Sequence, residues 1–207
     1  MALLISKLTN RQRRELLHDL NYLNTAEIQS FCKKHKIPYA IAIETADGNR
    51  RDTRDHDRKG VMLERVRHFL ETGVVLGQTC FRPAVVRFEA LPHKLAANDR
   101  LFYGQYDKSN RAMTALLKDL TGGEFEHGAI ARILARELWA SGKAPSFKEF
   151  AIAWRKARKM HRGPNPEWAF LSDKANKRAG ANWKKLRTQK AKRVMAILDR
   201  IAERERA

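Results

Sequence analysis

Three aspartates and a histidine stand close together in residues 52–57. Asp55, His56 and Asp57 are consecutive, and Asp52 lies just before them. Converging carboxylates can hold a divalent cation, which can activate water for phosphodiester cleavage. Neighbouring residues of a flexible loop rarely converge, and no second carboxylate cluster completes such a site. We therefore expect no catalytic residue, no metal site and no cofactor, and we keep a metal-dependent phosphodiesterase as a third alternative.

The excess of positive charge is the second feature that could do chemistry. The 207 residues include 42 Lys or Arg and 23 Asp or Glu, a formal net charge of +19. This excess is larger than a soluble surface needs, and it predicts a polyanionic partner. Nucleic acid ranks first and an anionic membrane surface second. The excess is largest in residues 161–207, with 13 basic and 5 acidic residues.

The cysteines and the missing signature motifs argue against several other classes. Cys32 and Cys80 make no disulfide framework, and Cys32 with His35 supplies only half of a zinc site. The sequence has no P-loop, no nucleophile elbow and no His-Glu-x-x-His motif. It also has no apolar run of about 18 residues. We expect a cytoplasmic protein that is neither an enzyme nor inserted in a membrane.

Two short helices with a long connection between them organise the N-terminal part of the chain. Asn24 and Glu27 form a capping-box pattern, and the helix that follows carries an apolar stripe and stops before Pro38. A second helix is predicted over residues 58–71, with Gly73 able to adopt the left-handed conformation after its end. Another capping box, Thr9 to Gln12, predicts a helix before both of them.

These two helices resemble the SAP motif. The resemblance covers about a quarter of the chain and implies a helix-loop-helix module that binds duplex DNA, often AT-rich, through basic residues and the start of the second helix. The connection here, residues 39–57, is longer than in that family. The positions that match the motif are Ile28, Cys32, Ile37, Lys59, Leu63, Arg65 and Val66.

The connection itself has two interpretations. After Ala46 it contains no apolar residue up to position 57, and Asp47-Gly48 indicates a turn. It is either a mobile hydrophilic loop or a segment whose arginines become ordered on a phosphate backbone. At the start of the second helix, Arg58 and Lys59 either bind a phosphate together with the free backbone amides or pair with the aspartates before them.

The remainder of the chain divides into a connector and a bundle. Residues 74–104 are rich in β-branched and aromatic residues and predict an irregular connector with possible short strands. Residues 105–207 predict a helical bundle that ends in a basic helix over 183–206. Its second half carries an apolar stripe, Val194, Ile197, Leu198 and Ile201, and we expect its basic first half to project past the core and meet a polyanion. Residues 122–157 also resemble the helical module that follows a SAP-type motif in uncharacterised bacterial proteins.

The sequence thus predicts a mainly α protein with three consecutive parts: a SAP-like helical domain in residues 1–73, the connector in 74–104 and the bundle in 105–207. The expected function is sequence-nonspecific binding of duplex DNA through phosphate contacts, and the alternative is an adaptor that docks an acidic protein. The candidate DNA contacts are Lys33, Lys34, Lys36, Arg50, Arg51, Arg54, Arg58, Lys59, Arg65, Lys184, Lys185, Arg187 and Lys190.

Overall fold

The chain folds into two compact units, and the segments that build them alternate along the sequence. The computed structural model describes residues 5, 6, 8–160 and 180–203, with side chains given from 185 to 201 in the last segment. Unit 1 comprises Met1–Tyr39, His56–Gln78 and Pro164–Ala207, and unit 2 comprises Ala40–Asp55 and Thr79–Gly163. These boundaries differ from the three consecutive segments expected from the sequence. No helix in the described ranges is both long and apolar enough to cross a membrane.

Unit 1 begins with two helices whose starts follow from their capping residues. Helix α1 is Asn10–Asp19 and α2 is Thr25–Lys34, with the short 3-10 turn Leu20–Tyr22 between them. The predicted capping boxes at Thr9 and Asn24 are confirmed, because in each the side chain and the backbone amide of the cap exchange hydrogen bonds with the third helical residue. Local sequence alone therefore determines where both helices begin.

Helices α3, Lys59–Thr72, and α7, Gly180–Glu203, complete the core of unit 1. Gly73 ends α3 in the left-handed region, with φ 72°, as predicted. The predicted apolar stripe of α7 is confirmed at Val194 and Leu198, which are buried with α1, α2 and α3. The prediction that the basic turns before this stripe project past the core is wrong, because Ala191 is also buried and Arg187 and Lys190 pair with Glu27 and Asp19. The fully buried side chains of this core include Leu20, Leu23, Ile28, Cys32, Met62, Leu63, Val66 and Leu70.

A buried ion pair ties α3 to the segments on either side of it in unit 1. Arg65 Nη1 lies 2.6 Å from Asp57 Oδ2, and both side chains are 5% exposed. The same guanidinium donates to the carbonyls of Pro38, at 2.9 Å, and Gly77, at 3.1 Å. Each polar atom is thus matched inside the protein, as a buried charge requires.

A mixed three-stranded sheet in the middle of the sequence corrects the prediction of a mainly α fold. Strands β1, Ala40–Glu44, β2, Arg50–His56, and β3, Cys80–Phe81, have the order β2-β1-β3. Strands β1 and β3 are parallel, and since the sheet is mixed, β1 and β2 form an antiparallel hairpin. The expected loop at 39–57 is therefore a hairpin, and the possible strands of the connector contribute only two residues.

The sequence pattern does not predict the hairpin, because neither strand alternates between apolar and polar residues. The three central residues of β1 are all buried, so both of its faces are covered, while β2 exposes charged side chains and lies at the edge of the sheet. The turn itself was predicted correctly. Gly48 adopts φ 80° and donates to Thr45 O at 2.9 Å, and the Asp47 carboxylate accepts from Asn49 at 2.6 Å.

Three helices pack with this sheet in unit 2. They are α4, Arg111–Leu120, α5, Ala129–Ala140, and α6, Phe147–Met160, all in places where helices were predicted. Their shared core contains β-strand and helix residues alike. Its large buried members are Ile41, Ile43, Phe81, Val85, Leu101, Met113, Leu117, Phe125, Trp139, Phe147, Phe150 and Trp154.

Burial favours the neutral form of a histidine in unit 2. His127 Nδ1 lies 3.0 Å from the Tyr106 hydroxyl, and Nε2 lies 2.8 Å from Thr114 Oγ1, which also donates to Asn110 O. Thr114 therefore accepts from a protonated Nε2, whereas the Tyr106 hydroxyl can donate to Nδ1 or accept from it. Burial lowers the pKa of His127, and the charge of Asp107 opposes this effect only in part.

We expect the stability of unit 2 to fall in mild acid because of this histidine. The pKa is lower in the folded than in the unfolded protein, so this contribution to stability is fully present above the unfolded value of about 6.5 and is lost as the pH falls from there to the lower pKa of the folded protein. Urea unfolding of the full chain at several pH values measures the loss. The His127→Asn variant should flatten this part of the profile, and an unchanged profile in the variant would contradict the assignment.

Candidate nucleic-acid interface

Helix α6 presents a line of positive charge on the side opposite its buried face. Lys148, Arg155, Lys156 and Lys159, which we call the basic stripe, are all exposed and recur at helical spacing around Ile152, which is 61% exposed. None of the four forms an ion pair with another described residue. Their charges are therefore available to a partner.

An open groove of about 650 Å³ lies beside α6, with Ala153 of the helix in its lining. Three further cations line it, Arg87, Arg100 and Lys143, which we call the groove cations, and Glu149 of α6 lines it as well. Lys156 is one turn beyond Ala153, so this part of the basic stripe lies next to the groove, whereas Lys148 and Arg155 lie further around the helix. Unit 2 thus carries four exposed cations along α6 and three more in the neighbouring groove.

Two of the groove cations are held in place by the fold. The Arg87 guanidinium stacks on the Phe102 ring, 4.3 Å from its centroid, and lies 3.7 Å from a Glu89 carboxylate oxygen. Arg100 donates from Nη1 to Ala144 O at 2.7 Å. Each guanidinium still has other N–H groups to offer, since five are present on each side chain.

The start of α6 supplies no free amides to this surface. The Ser146 hydroxyl accepts from Glu149 N at 3.1 Å and the Glu149 carboxylate accepts from Ser146 N at 2.7 Å, which confirms the predicted capping box. Hydrogen bonds from Ser146, first from its backbone, lower the pKa of Glu149. The amides of Phe147 and Lys148 donate to Asp99 O and Ala97 O. Anion binding here therefore depends on side chains.

The three predicted arginines of the hairpin are exposed on β2. Arg51 lies over the Phe88 ring, 5.9 Å from its centroid, while Arg50 and Arg54 flank the exposed Asp52. Side chains of a strand alternate between its two faces. Arg51 is thus on one face of β2, and Arg50 and Arg54 share the other.

The three predicted lysines of unit 1 at the end of α2 differ in their surroundings. Lys34 pairs with Asp199 of α7 at 2.8 Å, whereas Lys33 and Lys36 are exposed and Lys36 has a positive φ of 56°. Only Lys33 and Lys36 combine exposure with no ion pair among the described residues. They make a small basic patch at the C-terminal end of α2, where cations are favoured by the helix dipole.

The three predicted contacts of α3 lie mostly inside unit 1. Arg58 is the half-buried N-cap residue, and Lys59 donates to Asn21 O at 2.6 Å. Arg65 is buried in the ion pair described above, so its guanidinium cannot reach a nucleic acid. It is therefore left out of the proposed interface.

The predicted contacts of α7 are also partly used by unit 1. Arg187 donates to Tyr22 O at 2.9 Å and pairs with Glu27. Lys190 pairs with Asp19 at 2.8 Å and lies 4.5 Å from the centre of the Tyr22 ring. The hydrogen bond to Asp19 raises the pKa of Lys190. Lys185 is exposed, and the side chain of Lys184 lies outside the described residues.

The acidic residues of 52–57 bind protein groups. Asp57 pairs with Arg65, and Asp55 accepts from the Tyr103 hydroxyl at 2.8 Å and lies 3.5 Å from Arg136. His56 Nδ1 lies 3.1 Å from Gln29 Nε2. Among the described residues no group of three or more His, Cys, Asp or Glu is arranged to hold a metal ion.

The sequence analysis did not include the basic stripe or the groove cations among its candidates. The stripe has a sequence signal, because its cations occupy the positions between the apolar residues of α6 that were recognised at Phe147, Phe150, Ala151 and Trp154. The groove cations have none, since Arg87, Arg100 and Lys143 come from three separate segments. Comparison with protein-family models, with curated proteins and with solved structures finds no match in any of the three.

Proposed function

We propose that this protein binds duplex DNA without sequence preference, and that the basic stripe and the groove cations of unit 2 supply the main phosphate contacts. The observation that carries the proposal is the basic stripe, four exposed cations on one helix that form no ion pair with another described residue. Helix α6 has a single acidic residue, Glu149, and its carboxylate is held by the cap. A surface of this kind attracts the phosphate backbone and promotes fast association.

The length of the stripe suits a duplex. From Lys148 to Lys159 a helix rises about 16 Å at 1.5 Å per residue. This length corresponds to about five phosphates on each strand. Four side chains spread over that distance can contact separate phosphates, which a compact cluster of charge could not do.

Weak sequence preference follows from the side chains involved. Specific reading of base edges in the major groove uses bidentate contacts from Arg, Lys, Asn or Gln on an element that enters the groove. The exposed side chains of α6 are three lysines, two arginines, Glu149, Ile152 and Met160, with no Asn or Gln among them. Lysine presents a flexible point charge, which suits phosphates better than base edges.

The SAP-like module remains part of the proposal as a second, smaller contact. In its support, α2 and α3 share one core, and Lys33, Lys36 and Lys185 are exposed on unit 1. A hairpin in place of a short loop separates the two helices along the chain, so the family's contacts at the start of the second helix do not carry over directly. We propose the cytoplasm as the compartment, where the free Cys32 and Cys80 would stay reduced.

We expect a steep salt dependence of DNA binding by the full chain. Fluorescence anisotropy with a dye-labelled duplex, from about 50 to 200 mM salt, should give a slope of log affinity against log salt of about −4 to −6, because each neutralised phosphate contributes about 0.9. Duplexes of unrelated sequence should bind equally well.

Two outcomes would contradict the proposal. A flat salt response would exclude phosphate contacts as the source of affinity. Equally tight binding of polyglutamate, used as a probe at the same charge concentration, would favour the alternative of an adaptor for acidic proteins, because a peptide chain lacks the fixed phosphate spacing of a duplex.

A further inference from the structure

Phe88 is an aromatic residue that unit 2 leaves at its surface. The side chain is 57% exposed, whereas every other described Phe, Tyr or Trp of this unit is buried or half-buried. It lies in an extended segment that pairs with Tyr103, because Arg87 N donates to Tyr103 O and Tyr103 N donates to Val85 O, both at 2.9 Å. A backbone ladder therefore fixes the position from which the ring projects.

The ring itself is also held in place. Gly104 has φ +94°, and a Cβ there would lie 2.5 Å from Arg87 O and 2.7 Å from Phe88 Cδ1. The ring thus lies directly on the backbone at position 104, which only glycine permits. Tyr103 contacts it edge to face, at 6.2 Å between ring centres. An apolar ring fixed outside the core gives up the stabilisation that burial would bring.

One positive charge lies beside this ring. The guanidinium of Arg51 is 5.9 Å from its centre, whereas Arg50 and Arg54 are exposed on the other face of the same strand. Strand β2 is tied to the Phe88 segment, since the Asp55 carboxylate accepts from the Tyr103 hydroxyl at 2.8 Å. That carboxylate is therefore engaged, which leaves Asp52 as the exposed acid of the strand.

We infer that Phe88, with Arg51, is a platform on which an unpaired nucleobase stacks while a neighbouring phosphate contacts the arginine. Single-stranded nucleic acid offers the two chemistries that this surface matches, a flat π face and a chain of negative charge. Stacking on one ring tolerates every base, which agrees with binding that has no sequence preference.

The charge around the ring favours a nucleotide over an apolar partner. A protein or lipid partner that buried Phe88 would also have to bury the Arg51 guanidinium beside it, and desolvating an unpaired charge is costly. The nucleotide neutralises that charge with its phosphate. The inference rests on the proposed function and extends it: the preferred ligand is DNA that contains a single-stranded part next to duplex.

The test uses the full chain and three labelled probes: a short blunt duplex, the same duplex with a single-stranded oligothymidylate tail, and the tail alone, of about 12 nucleotides so that it lies within the usual site size. Phe88→Ala should weaken binding of the free tail and of the tailed duplex about tenfold. It should leave blunt-duplex affinity and the salt slope unchanged, because the substitution removes no charge.

Matched controls separate stacking from loss of structure. Phe88→Trp should retain the affinity for the tail, and Val74→Ala, which removes a 56% exposed apolar side chain from unit 1, should change nothing. With the wild-type protein, abasic sites in the tail should cause a loss similar to that of Phe88→Ala, a result independent of any effect on folding.

The outcomes distinguish the inference from the proposed function. The inference about Phe88 would be wrong if Phe88→Ala bound the tail as tightly as the wild type and abasic sites had no effect. The proposal of duplex binding would then still stand. Loss of tail affinity in a protein that never binds the blunt duplex would support the platform and overturn the duplex proposal.

Discussion

Replacing Lys148, Arg155, Lys156 and Lys159 with glutamine is expected to weaken duplex binding by at least about 100-fold at low salt. Each cation that contacts a phosphate releases counterions from the duplex, so removing four contacts should also reduce the salt slope by up to about 3.6. Folding should be little affected, because all four side chains are exposed and unpaired among the described residues. Anisotropy titrations at two or more salt concentrations measure both effects.

A second set of four cations in unit 2 provides the control for total charge. Lys94, Lys108, Arg111 and Lys118 are exposed and lie outside the stripe and the groove. Replacing them with glutamine changes the net charge by the same amount but should reduce the affinity for the duplex only slightly. Equal losses from the two sets would mean that diffuse charge, rather than the surface at α6, attracts the DNA.

Replacing Arg65 with methionine is expected to destabilise unit 1 by about 3–5 kcal/mol, because it removes the cation that pairs with the buried charge of Asp57. The side chain of Asp57 is 5% exposed, and the carbonyls of Pro38 and Gly77 would each lose a donor as well. Methionine fills similar space, so the loss reports on charge and hydrogen bonding more than on a cavity. Urea unfolding without DNA measures it.

Two further variants test the origin of that loss. Adding Asp57→Asn to Arg65→Met should recover part of the stability, since the remaining buried group is then neutral. Arg193→Met breaks an ion pair with Glu15 in which the side chains are 63% and 40% exposed, so it should leave the free energy of unfolding almost unchanged. If Arg65→Met lowers the free energy of unfolding no more than Arg193→Met does, the pair of Arg65 and Asp57 does not hold α3 in the way we describe.

The parts of the fold that the sequence predicts well are those with local causes. Capping boxes at Thr9, Asn24 and Ser146 determine helix starts through contacts within one turn, and these starts agree with the structure. The hairpin was missed because its stability comes from the rest of unit 2. Strand β1 is covered on both faces, and β2 gains its place through contacts such as Thr53 Oγ1 to Ile41 O, at 2.8 Å.

The candidate site was harder to predict because exposed and paired cations look alike in a sequence. Lys190 stands in line with the apolar face of α7, and its partner Asp19 is 171 residues away, so no local pattern reveals that its charge is satisfied. The same holds for Arg187 and Glu27. The unpaired cations of α6 could have been found by asking which charged faces lie opposite a buried stripe and have no acid at neighbouring turns.

The segments of the two units alternate along the sequence, and this order affects how the chain can fold during synthesis on the ribosome. Helices α1, α2 and α3 emerge first, yet Leu20, Ile28 and Val66 share their core with Val194 and Leu198 of α7. All of residues 79–163 must be translated before that helix appears. Until then the apolar residues of α1, α2 and α3 that pack on α7 stay exposed on the nascent chain, where chaperones recognise them. In unit 2, by contrast, every described segment has been synthesised once α6 has left the ribosome.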